Sequence, residues 1–406
     1  MSSRSVLREY SDRDDSCYAW KIESKERFLG SEVLHITLQS QEWKGIVWKH
    51  RMKFLAPEAF EEGSYVLMLI TGSEEDSEGL AFCKTIADRL NLPCAVLHDV
   101  PNQPLFHGLY EDALIAFTFS KFIESQDVEW PLLIPMVKAA KKSIDALEEM
   151  LEQSFQTPKG FIVMGASKRG WTTWLFSAID KRVKGIAPLV FDNLNFAEQM
   201  RHQIECYGAY SEQILDYTKL RLQEKLQTEI GQRLVEIVDP YSYKDSIIVP
   251  KLIVDGTNDR YWTVDSLNLY YDGLKGRRHV LYVPNSGHGL EDRRRVINAI
   301  VAFASSIREG KDLPKLESVF KAKGESILRV TTEKKPLYFD FWKASSDTMD
   351  FRNSRWESQP GVMEGGEYIF HLSSQKRYTA AFGEATFLVE GKIFSLSTPM
   401  NVSIMM

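Results

Sequence analysis

Six short runs of nearly continuous apolar residues set the strongest limit on the fold: SYVLMLI (64–70), CAVLHDV (94–100), FIVMG (161–165), VKGIAPLVF (183–191), KLIVDG (251–256) and HVLYVP (279–284). A strand with one wet face alternates apolar and polar residues, whereas a strand apolar throughout is buried on both faces. Helix-patterned segments separate the runs: LAFCKTIADRL (80–90), a long stretch from Pro131 through PMVKAAKKSIDALEEMLEQSF, WTTWLFSAI, and EDRRRVINAIVAFASSI. Their apolar residues recur at three- and four-residue spacing, and Pro131 suits a helix start. Buried strands alternating with helices predict an α/β fold with a mostly parallel sheet covered on both faces.

The pattern changes on either side of this block. From Glu32 to about Leu55 apolar and polar residues alternate (EVLHITLQS, IVWKHRMKFL), as in antiparallel strands opening a sheet. After Phe191 the strand–helix alternation stops, and residues 192–248 read as a polar, helical insertion, expected to form a cap. Beyond about Lys311 only strands follow, with Gly, Ser and Pro between them. They predict a β-sandwich of immunoglobulin-like size over 315–406, joined through REGKDLPK to a hydrolase-like domain over 1–310. A chain of 406 residues exceeds a single typical core, which agrees with two domains.

Composition excludes several function classes. Fifty basic and 56 acidic residues give a net charge of −6, with no basic stripe to attract nucleic acid. No run of 18 apolar residues offers a membrane span, and the start, MSSRSVLREYSDRDDS, has no apolar core of a signal peptide. Cys17, Cys83, Cys94 and Cys206 show no pair at metal-ligand spacing and are too few for a disulfide scaffold. With no HExxH and no Cys/His cluster, no metal or other cofactor is expected.

Ser167 stands at the end of FIVMGA, where strand gives way to helix, in the sequence GASKRGW. A serine hydroxyl is a weak nucleophile until a base takes its proton, and the base needs an orienting acid. In a nucleophile elbow small residues flank the serine because strand and helix pass close together. Gly165 meets that demand; Gly170 comes one place late, and Arg169 holds the position where G-x-S-x-G has glycine. The partners should follow in the order acid, then histidine, on loops after later strands. Asp259 follows KLIVDG in TNDRYW, and His288 follows HVLYVP in NSGHGLED. Asp255 and Asp265 compete with Asp259, but Asp255 lies within the strand and Asp265 begins the next helix. The oxyanion donors would be the Lys168 N–H and a second amide in TGS, Gly72 or Ser73.

The segments GASKRGWTTWL, PLVFDNLNF, IVDPYSY, the TND loop and YVPNSGHG together resemble the PhoPQ-activated pathogenicity-related proteins. SQEWKGIVWKH, PNQPL, DALIAFTFSKFIES, DFWKASSDTMDFR and STPMNV extend the resemblance over nearly the whole chain. It implies an α/β-hydrolase-like domain with a serine triad and a C-terminal β domain. Arg169 belongs to that family's own pattern, so its place in the elbow is shared. Members resemble serine peptidases and esterases, and several are exported.

The expected function is hydrolysis of a small acyl or peptide substrate by Ser167, His288 and Asp259. Tyr207, Tyr210 and Trp262 are candidate wall residues, and Arg169 either meets an anionic group of the substrate or anchors its helix. The alternative is a secreted or host-directed binding protein that keeps the scaffold without the reaction.

Overall fold

A computed structural model describes residues 5–57, 63–72, 77–153, 157–321 and 326–405. In chain order its helices are α1 (Val6–Asp12), α2 (Ser77–Leu90), α3 (Glu111–Ser125), α4 (Leu133–Glu152), α5 (Lys168–Ile179), α6 (Phe196–Tyr207), α7 (Leu215–Lys219), α8 (Leu222–Lys225), α9 (Glu229–Val238) and α10 (Arg293–Glu309). The chain forms two compact units, residues 1–191 with 216–251, and residues 192–215 with 252–406.

The strands of the first unit are β1 (Ala19–Phe28), β2 (Ser31–Trp43), β3 (Ile46–Leu55), β4 (Tyr65–Ile70), β5 (Cys94–Leu97), β6 (Gly160–Ala166) and β7 (Val183–Leu189). They lie in the order β1-β2-β3-β5-β4-β6-β7. β1, β2, β3 and β5 pair antiparallel, and β5, β4, β6 and β7 pair parallel. Every residue of β4 and β5 is buried, which is why these strands read as solid apolar runs. β2 and β3 meet through Lys44–Gly45, whose φ angles of 52° and 76° suit the twist of a two-residue hairpin. The hairpin brings Trp43 and Trp48 edge to face at 5.7 Å.

α5 is buried over all twelve of its residues. Trp171 holds one end, stacked on Phe191 at 5.1 Å and donating Nε1–H to the Val238 carbonyl at 2.6 Å. In this unit three elements fall outside the sequence expectations: α1, β1 and α3. β1 exposes nearly its whole length, so no apolar alternation marks it.

In the second unit β8 (Lys251–Gly256) and β9 (Arg278–Val283) are followed by β10 (Leu316–Lys321), β11 (Ser326–Thr332), β12 (Tyr338–Ser346), β13 (Glu357–Pro360), β14 (Val362–Glu364), β15 (Glu367–Leu372), β16 (Tyr378–Val389), β17 (Lys392–Ser397) and β18 (Asn401–Ile404). One sheet runs β8-β9-β17-β16-β12-β13, with β18 on β16, and a second runs β10-β11-β15-β14. Phe339 of β12 stacks on Tyr368 of β15 at 3.9 Å, and Phe341 on Phe370 at 4.9 Å, so the two C-terminal sheets face each other across aromatic pairs. β17 pairs antiparallel with β9, which ties the C-terminal strands to the one that leads to His288. The helical segment after Phe191 divides, residues 192–215 going with this unit and 216–251 with the first. Among the described residues no helix is long and apolar enough to cross a membrane.

Candidate active site

From Gly160 to Asp180 every residue is buried except Ala166 and Ser167. Ser167 has φ 56° and ψ −124°, a conformation that costs a residue with a side chain of order 1–3 kcal/mol. Here β6 turns into α5, as at a nucleophile elbow. The Ser167 amide donates to the Leu189 carbonyl at 2.8 Å, and its carbonyl accepts from Trp171 N–H at 3.0 Å. A methyl at Gly165 would stand 2.4 Å from the Arg169 carbonyl oxygen, and one at Gly170 would stand 3.1 Å from the Leu189 carbonyl oxygen. The helix thus crosses its own strand at Gly165 and the neighbouring strand at Gly170. No glycine is needed at 169.

The Arg169 side chain points to Glu111. Nη1 and Nη2 donate to its carboxylate at 2.7 and 2.6 Å, while Nε donates to the Val100 carbonyl at 2.6 Å. Lys168 Nζ donates to Asp112 at 2.8 Å and lies 3.4 Å from Glu111. Burial alone would raise the Glu111 carboxyl, but the two Arg169 hydrogen bonds and the charges of Arg169 and Lys168 outweigh it and hold the group at about 2. The Arg169 guanidinium is therefore engaged by protein groups. Its tip lies under Gly72, where a Cβ would come within 2.5 Å of Nη2. As the first residue of α5, Lys168 has an amide with no intrahelical acceptor. Gly72 lies in the loop after β4, and Ser73 falls outside the described residues.

The second unit holds an acid–base pair. His288 Nδ1 lies 2.7 Å from Asp259 Oδ2, and Asp259 Oδ1 accepts from Tyr261 N–H at 2.9 Å. A carboxylate only accepts, so Nδ1 carries a proton, and in the neutral ring Nε2 is the nitrogen that presents a lone pair. Nε2 is buried and has no hydrogen-bond partner among the described residues. The Tyr261 ring covers the imidazole at 4.3 Å. Of the three carboxylates weighed for the acid, Asp259 is the one bonded to His288; Asp255 is buried in β8, and Asp265 bonds His202 at 2.8 Å.

Residues that the sequence reading passed over fix both loops. Asn258 donates to the Ser354 carbonyl at 2.7 Å, and Asn285 exchanges two hydrogen bonds with the Trp356 backbone, at 2.8 and 2.9 Å. The segment after β12 thereby holds the loops of Asp259 and His288. Glu291 closes the histidine loop, accepting from the Ser286 hydroxyl and from Gly287 N–H. No local signal marks these asparagines, because their partners lie about 70 to 95 residues away.

Residues 7–352 match the sequence profile of the PhoPQ-activated pathogenicity-related proteins. The chain belongs to this family. It is 29% identical over 318 residues to autocrine proliferation repressor protein A of Dictyostelium discoideum, a match that spans 73% of this chain and 64% of that protein. Among solved structures it resembles acetyl xylan esterase 1 of Thermoanaerobacterium sp., with a TM-score of 0.55 and 15% identity over 75% of this chain and 93% of that one. An acetyl xylan esterase of Paenibacillus sp. gives 0.51 and 14% over 73% and 92%. The fold is that of the α/β-hydrolase esterases, with added C-terminal antiparallel strands.

In this family member the wall residues weighed from the sequence are unequal. Tyr207 donates its hydroxyl to the Trp262 carbonyl at 2.6 Å and lies under the Arg352 guanidinium at 3.9 Å. Tyr210 is half-buried after α6. Tyr207 and Trp262 line, with Asp192, Asp255 and Tyr282, a polar cavity of about 10 Å³, room for about one water. Ser40 and His50 also meet, at 2.9 Å, but are 0% and 2% exposed, out of reach of any substrate.

Burial, with the charges of Asp259 and Asp265 adding to it, pushes the Asp192 carboxyl up to about 7. The folded state then binds a proton that the unfolded state releases near 4, so this group's contribution to stability is full below that value and is lost as pH rises through about 7. Asp192→Asn is expected to raise stability at pH 8 by roughly 1–2 kcal/mol and to leave it little changed at pH 4. Urea unfolding at the two pH values measures this; an equal effect at both would count against the raised carboxyl.

Proposed function

We propose that the chain is a serine hydrolase acting on an acyl group. The observation that carries this reading is His288, whose Nδ1 is fixed by Asp259 while Nε2 is left as a bare base. In the proposed reaction Ser167 Oγ attacks the acyl carbonyl carbon and passes its proton to His288 Nε2. Asp259 stabilises the resulting imidazolium. The negative oxygen of the tetrahedral intermediate accepts from the Lys168 and Gly72 amides; losing one such donor typically costs about 3–4 kcal/mol of barrier. The intermediate collapses as His288 returns the proton to the leaving group, and water, activated by the same base, releases the acid.

The strained turn at Ser167 supports this role, since positive φ at a serine flanked by close-packed glycines is costly and otherwise unexplained. Acyl transfer serves esters and peptides alike. The two acetyl xylan esterases make short acyl esters the first class to test. A fluorophosphonate probe is expected to label the wild type and not Ser167→Ala. Labelling that survives the substitution would remove Ser167 from the reaction.

The name of the Dictyostelium relative, an autocrine proliferation repressor, favours a second reading, a secreted binding protein on the same scaffold. Well-folded wild type that takes up no probe would turn the assignment to that reading.

A further inference from the structure

The sequence reading finds no Cys/His cluster, yet folding makes one. His202 and Cys206 stand one helical turn apart on α6, and Asp265 reaches them from the loop after β8. Cys206 Sγ is 3.4 Å from His202 Nε2, Asp265 Oδ1 is 2.8 Å from the same nitrogen, and the three ligand atoms lie within 4.8 Å of one another. We propose that His202, Cys206 and Asp265 form a binding site for a divalent transition metal, zinc foremost, that staples α6 to the loop following Asp259.

The donor set selects the metal. Thiolate, imidazole and carboxylate together suit zinc, whereas calcium and magnesium take oxygen ligands. Zinc bonds of about 2.0–2.3 Å in a tetrahedron place neighbouring ligand atoms roughly 3.3–3.6 Å apart. The observed separations, 2.8 and 3.4 Å about the imidazole nitrogen and no more than 4.8 Å across the set, bracket that range, so closing on a metal takes side-chain adjustment and no refolding of the helix or loop. Nε2 is the ring nitrogen nearer to both other ligands, Cys206 Sγ lying 3.4 Å from it and 3.8 Å from Nδ1, and Nδ1 lies 3.5 Å from the Glu205 carboxylate. That is the arrangement in which a carboxylate fixes the tautomer and orientation of a metal-bound histidine. Cys206 is 6% exposed, and the His202 and Asp265 side chains are 12% and 14% exposed, so solvent reaches the edge of the cluster and supplies a fourth ligand.

The ligands are held in place by bonds of their own surroundings. Gln203 donates to the Tyr261 carbonyl at 2.9 Å, Ser211 to the Arg260 carbonyl at 2.6 Å, and Gln199 to the Ser266 carbonyl at 3.1 Å. The helix and the loop are therefore clasped before a metal arrives, and binding adds to a formed structure. A staple here steadies the loop that begins at Asp259, whichever way the Ser167 assignment is decided.

Titration of the metal-stripped full-length protein with zinc against a chromophoric chelator tests the site. The expected result is one equivalent bound, weakened at least tenfold in Cys206→Ser and in Asp265→Asn. Cobalt in place of zinc is expected to give thiolate charge-transfer absorption in the wild type, absent from Cys206→Ser. Zinc should raise the Tm of the wild type and not that of Cys206→Ser, and circular dichroism of each variant confirms folding. No stoichiometric binding by the wild type, or binding and cobalt absorption unchanged in both variants, would overturn the proposal and leave an imidazolium–carboxylate ion pair beside a thiol.

Discussion

Ser167→Ala is expected to lower kcat on a short acyl ester by about 10⁴- to 10⁶-fold, and His288→Ala should cost about as much. The two groups act as one unit, because the hydroxyl attacks only as fast as the base removes its proton. The double variant is therefore expected to be little worse than either single one. Asp259→Asn tests another step. An amide at 259 would donate to the imidazole and favour the tautomer with its proton on Nε2, the wrong nitrogen for a base. A loss of about 10⁴-fold in kcat is expected from that reversal, with the protein as stable as the wild type. Steady-state kinetics of the purified variants settle the matter. Ser167→Ala with wild-type turnover, or three independent and additive losses, would remove the triad from the mechanism.

The second large effect is on stability. Glu111→Ala leaves Arg169 and Lys168, with side chains 11% and 10% exposed, without their shared carboxylate. Breaking one side of a buried ion pair costs about 3–5 kcal/mol; since the Glu111 side chain is 37% exposed, solvent screening brings the expectation to about 2–4 kcal/mol. Arg169→Met combined with Glu111→Leu should recover much of the loss, because no unpaired charge then stays buried. The pH dependence has a definite sign. The carboxyl lies at about 2 in the folded protein and near 4.3 when unfolded, so the unfolded state binds more protons between those values. The stabilisation is complete above the unfolded value and is lost as pH falls through about 2. Urea unfolding across that window should show a flatter acid limb in Glu111→Ala; identical slopes would contradict the pairing.

Arg169 illustrates where local reading stops. The residue interrupts the usual glycine pattern, and its neighbours in sequence leave two roles open. Its partner Glu111 is 58 residues away, on a helix that the sequence reading did not mark. The tertiary structure adds the partners that the local sequence lacks, since the guanidinium meets Glu111 and Val100. Trp171 is a similar case. It reads as helix core, but the residues it packs on, Phe191 and Val238, come from separate segments.

The α/β pattern was legible because strands buried on both faces must be apolar throughout, a constraint visible in single runs such as those of β4 and β6. The order and placement of Ser167, Asp259 and His288 were legible for a related reason: in this fold each lies just past the end of a buried strand. What the sequence by itself determined is therefore the succession of buried strands and helices along the chain and the loops on which Ser167, Asp259 and His288 stand, since burial period and turn residues are local properties. The sequence already preferred Asp259 as the partner of His288, and the two meet; only the tertiary structure decided in what order the strands lie, which asparagines pin the two loops, and that His202, Cys206 and Asp265 converge. Those depend on contacts across tens of residues, where geometry is set by packing and leaves no period in the chain.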